Sequence, residues 1–171
     1  MTTNPLNDSN VPYFKKYTDL VPSDTILTIL LRVQHQGFID WLNAVPELDS
    51  TKLHPPYTWT LGEVIQHLSD CERVFAFRAF WIARGGPLPL PSFDENEFSK
   101  RGRAMTRSLA QLITEFHSVR ESSVTLFDSF SKTDWETCGQ VSDFEISIEQ
   151  QATIIIGHVA HHWNILQKRF G

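Results

Sequence analysis

From Ser23 onward the apolar positions Leu27, Leu30, Leu31, Phe38, Trp41 and Leu42 recur at steps of three and four as far as Pro46. That spacing is one face of a helix. A loop containing HPPYTW follows, and a second run opens with Thr60 and Glu63 in the T-x-x-E spacing of a capping box. In such a box each side chain satisfies an orphan backbone N–H at the helix start. The inward stripe of this run reads Val64, His67/Leu68, Cys71, Val74/Phe75 and Arg78, and Gly85-Gly86 stops it. A third run is capped by Ser108 with Gln111 and carries Leu109, Leu112, Phe116, Val119, Ser123, Leu126 and Phe130. A fourth starts at Ser147 with Gln150 and continues to the C-terminus. Strand-like alternation is confined to CGQVSDFEI, too short to predict a sheet. The pattern predicts an all-α chain, a four-helix bundle. Residues 1–22, polar and interrupted by Pro5, Pro12 and Pro22, are expected to form an irregular arm, with 23–171 a single domain.

The fourth run contains GHVAHHWNIL, with His158, His161 and His162. On a helical wheel with Ile155 at zero, His158 falls near ~300° and His162 near ~340°, inside the apolar stripe. His161 sits at its margin, near ~240°. Two histidines spaced i, i+4 lie on one face a turn apart, so both imidazoles can reach one metal ion. The best third ligand is His67, on the inward stripe of the second helix. His67 lies roughly 10 Å past the Thr60 cap, and His162 and His158 lie roughly 10 and 16 Å before Arg169. These depths match if the second and fourth helices run antiparallel. Antiparallel packing needs one crossover as long as the bundle, and the proline-rich segment 85–103 is the only connection long enough. A single inward histidine is ordinarily a hydrogen-bonded core residue. Three at matching depth on facing helices would leave several buried polar groups unpaired unless a metal holds them.

Composition narrows the class. With 41% hydrophobic and 20% charged residues the chain is globular rather than disordered. A net charge of −5, with KRGR (100–103) as the densest basic patch, disfavours nucleic acid as a partner. Two cysteines, Cys71 and Cys138, at no motif spacing point to a cytoplasmic chain without a disulfide framework. No signal-peptide pattern and no membrane-spanning run is expected.

Other residues near the three histidines carry competing readings. Glu63, one turn before His67, is a candidate general base, but the capping box already accounts for it. Cys71, one turn after His67, would make a good fourth ligand, or a small buried core residue. Gln151 falls mid-stripe on the fourth helix and is a candidate for orienting a ligand or lining a pocket. Arg78 interrupts an apolar stripe and is expected to pair with an acid rather than hold a substrate anion. Asp70 and Glu72 are read as solvated or paired, and His161 as a rim residue. His35 and His117 flank their stripes. His54, Tyr57, Trp59 and Phe93 are candidates for the mouth of a small apolar pocket.

YFKKYTDLVP, WTLGEVIQHLSDCERVFAFRAFWIARG, PLPSFDENEF and GHVAHHWNILQ together resemble the DinB-like superfamily, which includes YfiT-type metal-dependent hydrolases and bacillithiol S-transferases. The likeness extends over nearly the whole chain from Tyr13. It implies an up-down-down-up four-helix bundle, in agreement with the crossover argument. It also implies a metal triad at His67, His158 and His162, a divalent ion (nickel, zinc or iron), a low-molecular-weight thiol as co-substrate, and a homodimer. Three neutral imidazoles leave a coordination position open, the pattern of a catalytic metal site. A metal-lowered water would serve hydrolysis, and a metal-held thiolate would attack a small electrophile. The resemblance favours the thiol version. The alternative is a metal-binding bundle that acts in binding or stress response without turnover.

Overall fold

The computed structural model describes residues 12–46 and 50–170. Helices α2 (Leu27–Ala44), α3 (Leu61–Ala83), α5 (Leu109–Asp128) and α7 (Ile148–Phe170) form the bundle. Around them lie the short helices α1 (Lys15–Thr18), α4 (Glu95–Arg101) and α6 (Lys132–Glu136), and the strands β1 (Cys138–Val141) and β2 (Phe144–Ser147).

The three predicted capping boxes are present. Thr60 and Glu63 exchange side-chain and backbone bonds at the start of α3, Ser108 and Gln111 do so at α5, and Ser147 and Gln150 at α7. A fourth box, Ser131 with Asp134, opens α6. Helix α3 ends where Gly85 takes φ +68°, a conformation that favours glycine. Helix α2 begins at Leu27, after Ser23, with Ile26 as an N-cap in extended conformation that makes no side-chain bond.

Cross-helix pairs fix the directions. Gly62 faces Leu112 and Glu72 bonds Arg120, so α3 and α5 run parallel. Helix α7 is antiparallel to α3, since Trp59 meets Arg169 at one end and Phe75 meets His158 further along. Arg32 with Asp128 and Phe38 with Phe116 make α2 antiparallel to α5. The topology is up-down-down-up, and the predicted crossover joins the parallel pair α3 and α5. It is more structured than its prolines suggest. It carries α4, capped by Asp94 accepting from the backbone N–H groups of Asn96 and Glu97, and a 3-10 turn at Ala104–Thr106.

CGQVSDFEI does form a small sheet, against expectation. Strands β1 and β2 pair antiparallel through a tight turn at Ser142, whose φ is +52°. The crossover supplies what the short hairpin lacks alone: Leu90 N–H donates to Gln140 O (2.9 Å) and Ser142 N–H donates to Leu90 O (2.8 Å). Of the expected irregular arm, residues 1–11, including Pro5, lie outside the described residues. The remainder contains α1, which packs on α7 at Gly157.

The apolar interior has two clusters. One gathers Phe38, Leu61, Leu68, Phe116 and Val159 toward the start of α3, and the other gathers Leu31, Phe75, Val124, Phe127 and Ile155 toward its end. Polar side chains lie between them. Arg120, 0% exposed, donates from Nε and Nη2 to the two Glu72 oxygens at 2.8 and 2.9 Å. Its Nη1 donates to Leu31 O and Gln34 Oε1, and Gln34 Nε2 donates to Ile156 O. This network ties all four bundle helices together at the level of the histidines. Glu72 is therefore a buried ion-pair partner rather than a solvated residue.

Candidate metal centre

Helix α3 carries His67 inward between Val64 and Cys71, and the antiparallel α7 brings His158 and His162 to the same depth. The Nε2 atoms of His67 and His158 lie 3.0 Å apart. The His162 ring centre is 5.0 Å from that of His67 and 4.8 Å from that of His158. Two nitrogens bound to one zinc ion at about 2.1 Å can lie at most about 4.2 Å apart, so the Nε2 pair fits within one ion's reach. Only one of two facing nitrogens can carry a hydrogen between them, which a shared cation would render unnecessary.

Burial sets the protonation state. Removal from water lowers the basicity of His67 to about 4, with a smaller contribution from Lys16. His162 falls to about 3, first through burial and then through the neighbouring His67, His161 and Lys16. His158 is pushed well below the usual histidine range by the same desolvation and by His162, His67 and His161. All three rings are neutral at neutral pH, the form that binds metals.

Around them is a cavity of about 510 Å³. Trp59 stands 4.8 Å from His67 between ring centres, and Phe75 stands 5.9 Å from His158. Trp59 is held by Arg169 at the far end of α7, whose Nη1 donates to the Trp59 carbonyl at 2.8 Å. Cys71 lines the same wall with Sγ 3.5 Å from His67 Nδ1, and burial pushes its thiol pKa up. His67, Cys71 and His158 offer ligand atoms within 4.8 Å of one another. Cys71 thus belongs to the apolar cluster and also faces the site.

The remaining candidates divide. His161 and Phe93 line the cavity, as expected of rim residues, whereas His54 packs on Phe170 and Tyr57 lies beneath the Arg169 guanidinium. Glu63 accepts from the Thr60 backbone N–H (2.8 Å) and hydroxyl (2.9 Å), within its cap and outside the cavity wall. Gln151 is fully buried, does not line the cavity, and neither of its amide atoms has a hydrogen-bond partner among the described residues. Asp70 accepts from Gln66 and Arg73. Arg78 donates to Pro91 O at 2.8 Å, and no carboxylate forms an ion pair with it among the described residues, contrary to expectation. His35 and His117 meet across α2 and α5, Nε2 to Nδ1 at 3.1 Å, while His35 Nδ1 lies 3.2 Å from Glu121. Each ring nitrogen of His35 thus lies close to a polar partner.

The arm supplies residues that periodicity misses. Tyr13, Lys16 and Tyr17 line the cavity, and the Tyr17 ring lies 5.0 Å from His158 and 5.5 Å from His161. Burial raises the Tyr17 phenol to about 12. Gly157, inside an otherwise regular helix, is the sequence signal for this close approach.

The fold is similar to that of YfiT from Bacillus subtilis, a probable metal-dependent hydrolase with an unusual four-helix bundle topology. The TM-score is 0.71 at 14% identity, over 86% of this chain and 90% of that one. It is equally similar to the mycothiol-dependent maleylpyruvate isomerase (TM-score 0.71, 14% identity), covering 90% of this chain but 62% of the isomerase. No curated protein matches the chain in sequence. The family model of the DinB superfamily matches residues 30–166, and the chain belongs to that superfamily.

Proposed function

We propose that this protein is a metal-dependent enzyme in which His67, His158 and His162 hold a divalent ion, and that it transfers a low-molecular-weight thiol to a small electrophile. The observation that carries this reading is that three neutral imidazoles share the wall of one cavity, with the Nε2 atoms of His67 and His158 3.0 Å apart and the His162 ring centre 5.0 and 4.8 Å from theirs. A divalent ion held by these residues would supply Lewis acidity, making a thiol or water beside it more acidic.

The chain's own residues provide the rest. Trp59, Phe75 and Phe93 give the apolar part of a substrate a water-poor wall. Tyr17 lines the same wall with its ring centre 5.0 Å from that of His158, which puts a phenol donor beside the proposed ligands. Glu63 fixes the start of α3 one turn ahead of His67, with Oε2 accepting both cap bonds, and it does not line the cavity. Hydrolysis of a small electrophile would use the same ligands and is the second outcome to assay. No helix among the described residues is long and apolar enough to cross a membrane, which is compatible with cytoplasmic work on small molecules. A homodimer belongs to the same proposal, supported by Ile26, the residue before α2, and by Ile29 and Val33 on it, which stand 64%, 54% and 62% exposed. Sedimentation of Val33→Glu tests it: an unchanged mass would sink the α2 interface.

The test of activity is to incubate the metal-loaded protein with several small thiols and monochlorobimane. Conjugation faster than with His67→Ala supports transfer. A rate equal to that of His67→Ala with every thiol, alongside intact metal binding by the wild type, would favour the non-catalytic metal-binding alternative.

A further inference from the structure

The three histidines leave one polar feature of the cavity unexplained. Arg78 lines the wall and is only 3% exposed, and its guanidinium is always protonated. One donor reaches Pro91 O, and the guanidinium carbon lies 5.4 Å from the Phe93 ring centre and 5.9 Å from that of Phe75. The rings hold the planar fork in place without neutralising it. Glu95 stands in the same wall, yet forms no ion pair with Arg78. A buried charge without a counter-ion is costly, and the fork geometry suits a bidentate carboxylate.

Resting on the reading of this cavity as a substrate site, we propose that Arg78 is its anion subsite and binds the carboxylate of an apolar-bodied small molecule. Phe75 sets the spacing. Its ring lies 5.9 Å from the Arg78 guanidinium carbon and 5.9 Å from the His158 ring, so one aromatic or short aliphatic body on Phe75 joins the two ends. The carboxylate can arrive on the electrophile or on the thiol, and paired probes distinguish these sources.

Calorimetry on the full chain, zinc-loaded and chelator-treated, compares phenylacetate with phenylacetamide and thioglycolate with its amide. Wild type is expected to prefer the acid of at least one pair by about tenfold or more, with and without zinc. Arg78→Gln should lose that preference while keeping its affinity for the amide, and Arg78→Lys should recover part of it. A preference confined to the phenylacetate pair places the acid on the electrophile, and one confined to the thioglycolate pair places it on the thiol. The proposal is overturned if wild type does not distinguish acid from amide in either pair, or if Arg78→Gln keeps the full preference. It is equally overturned if the preference exists only with zinc, which would put the carboxylate on the metal. If Arg78→Gln does not fold, the Arg78 Nε proton resonance of wild type decides: it must shift with the acid and stay in place with the amide. Zinc content of the same samples reports separately on the metal reading.

Discussion

Gly157→Ala sets two opposing effects against each other at the residue before His158. Alanine in a helix interior is more favourable than glycine by about 0.5–1 kcal/mol. Here, however, a Cβ would stand 2.0 Å from the Tyr17 carbonyl oxygen, 2.5 Å from its carbon and 3.0 Å from its Cα. Ordinary heavy-atom contact needs about 3.5 Å, so the arm backbone must retreat by about 1.5 Å. Backbone cannot rotate aside as a flexible side chain can. Overpacking of this kind costs about 1–3 kcal/mol. If the arm detaches instead, Phe14, now 7% exposed, returns to water at a cost of about 1.5–3 kcal/mol. Either route outweighs the helix gain. Gly157→Ala is expected to lose about 1–2 kcal/mol in urea unfolding followed by circular dichroism, and to loosen the Tyr17 ring from His158. A variant as stable as wild type, or more stable, would refute the claim that the arm's contact is what demands glycine here.

Arg120→Met should cost about 3–5 kcal/mol in the same assay, because it strands the Glu72 carboxylate, 2% exposed, between the apolar clusters. A loss below about 1 kcal/mol would mean that Glu72 finds another partner or water. Gln151→Leu removes two buried amide atoms that lack partners among the described residues, and is expected to stabilise by about 1–3 kcal/mol; a destabilised variant would contradict that environment. The metal-stripped protein should weaken as pH falls. His67 takes up a proton near the usual 6.5 when unfolded but only near about 4 when folded, so the unfolded state gains protons first. The contribution is complete above about pH 6.5 and lost by about pH 4, approaching roughly 3 kcal/mol for this residue. Equal urea midpoints at about pH 7 and about pH 5 would contradict it.

The bundle was legible because its signals are local. Three capping boxes and four apolar stripes each occupy one stretch of chain, and the depth of His67 against His158 and His162 needed only the helical rise. What stayed hidden depends on pairs that no single stripe reveals. Glu72 and Arg120 look like surface charges until α3 and α5 are set parallel, and His35 meets His117 only once α2 and α5 are set antiparallel. An acid partner for Arg78 is the default expectation, but Pro91 and Phe93, which contact it, come from the crossover, which carries no periodicity. A four-residue helix such as α1 gives no repeat to read, so periodicity does not show the arm's share of the cavity, Tyr17 above all. The β1–β2 hairpin is too short to predict alone because its third participant, Leu90, lies far away in sequence.

The proposed site has His67, His158 and His162 holding one ion together. Zinc titration of the untagged protein at neutral pH, followed by metal analysis after gel filtration, tests it most directly. One ion is expected to be retained per wild-type chain, and less than about a tenth of that in each of His67→Ala, His158→Ala and His162→Ala, with His161→Ala unchanged. A wild type that retains no ion, or single-histidine variants that retain as much as wild type, would contradict it.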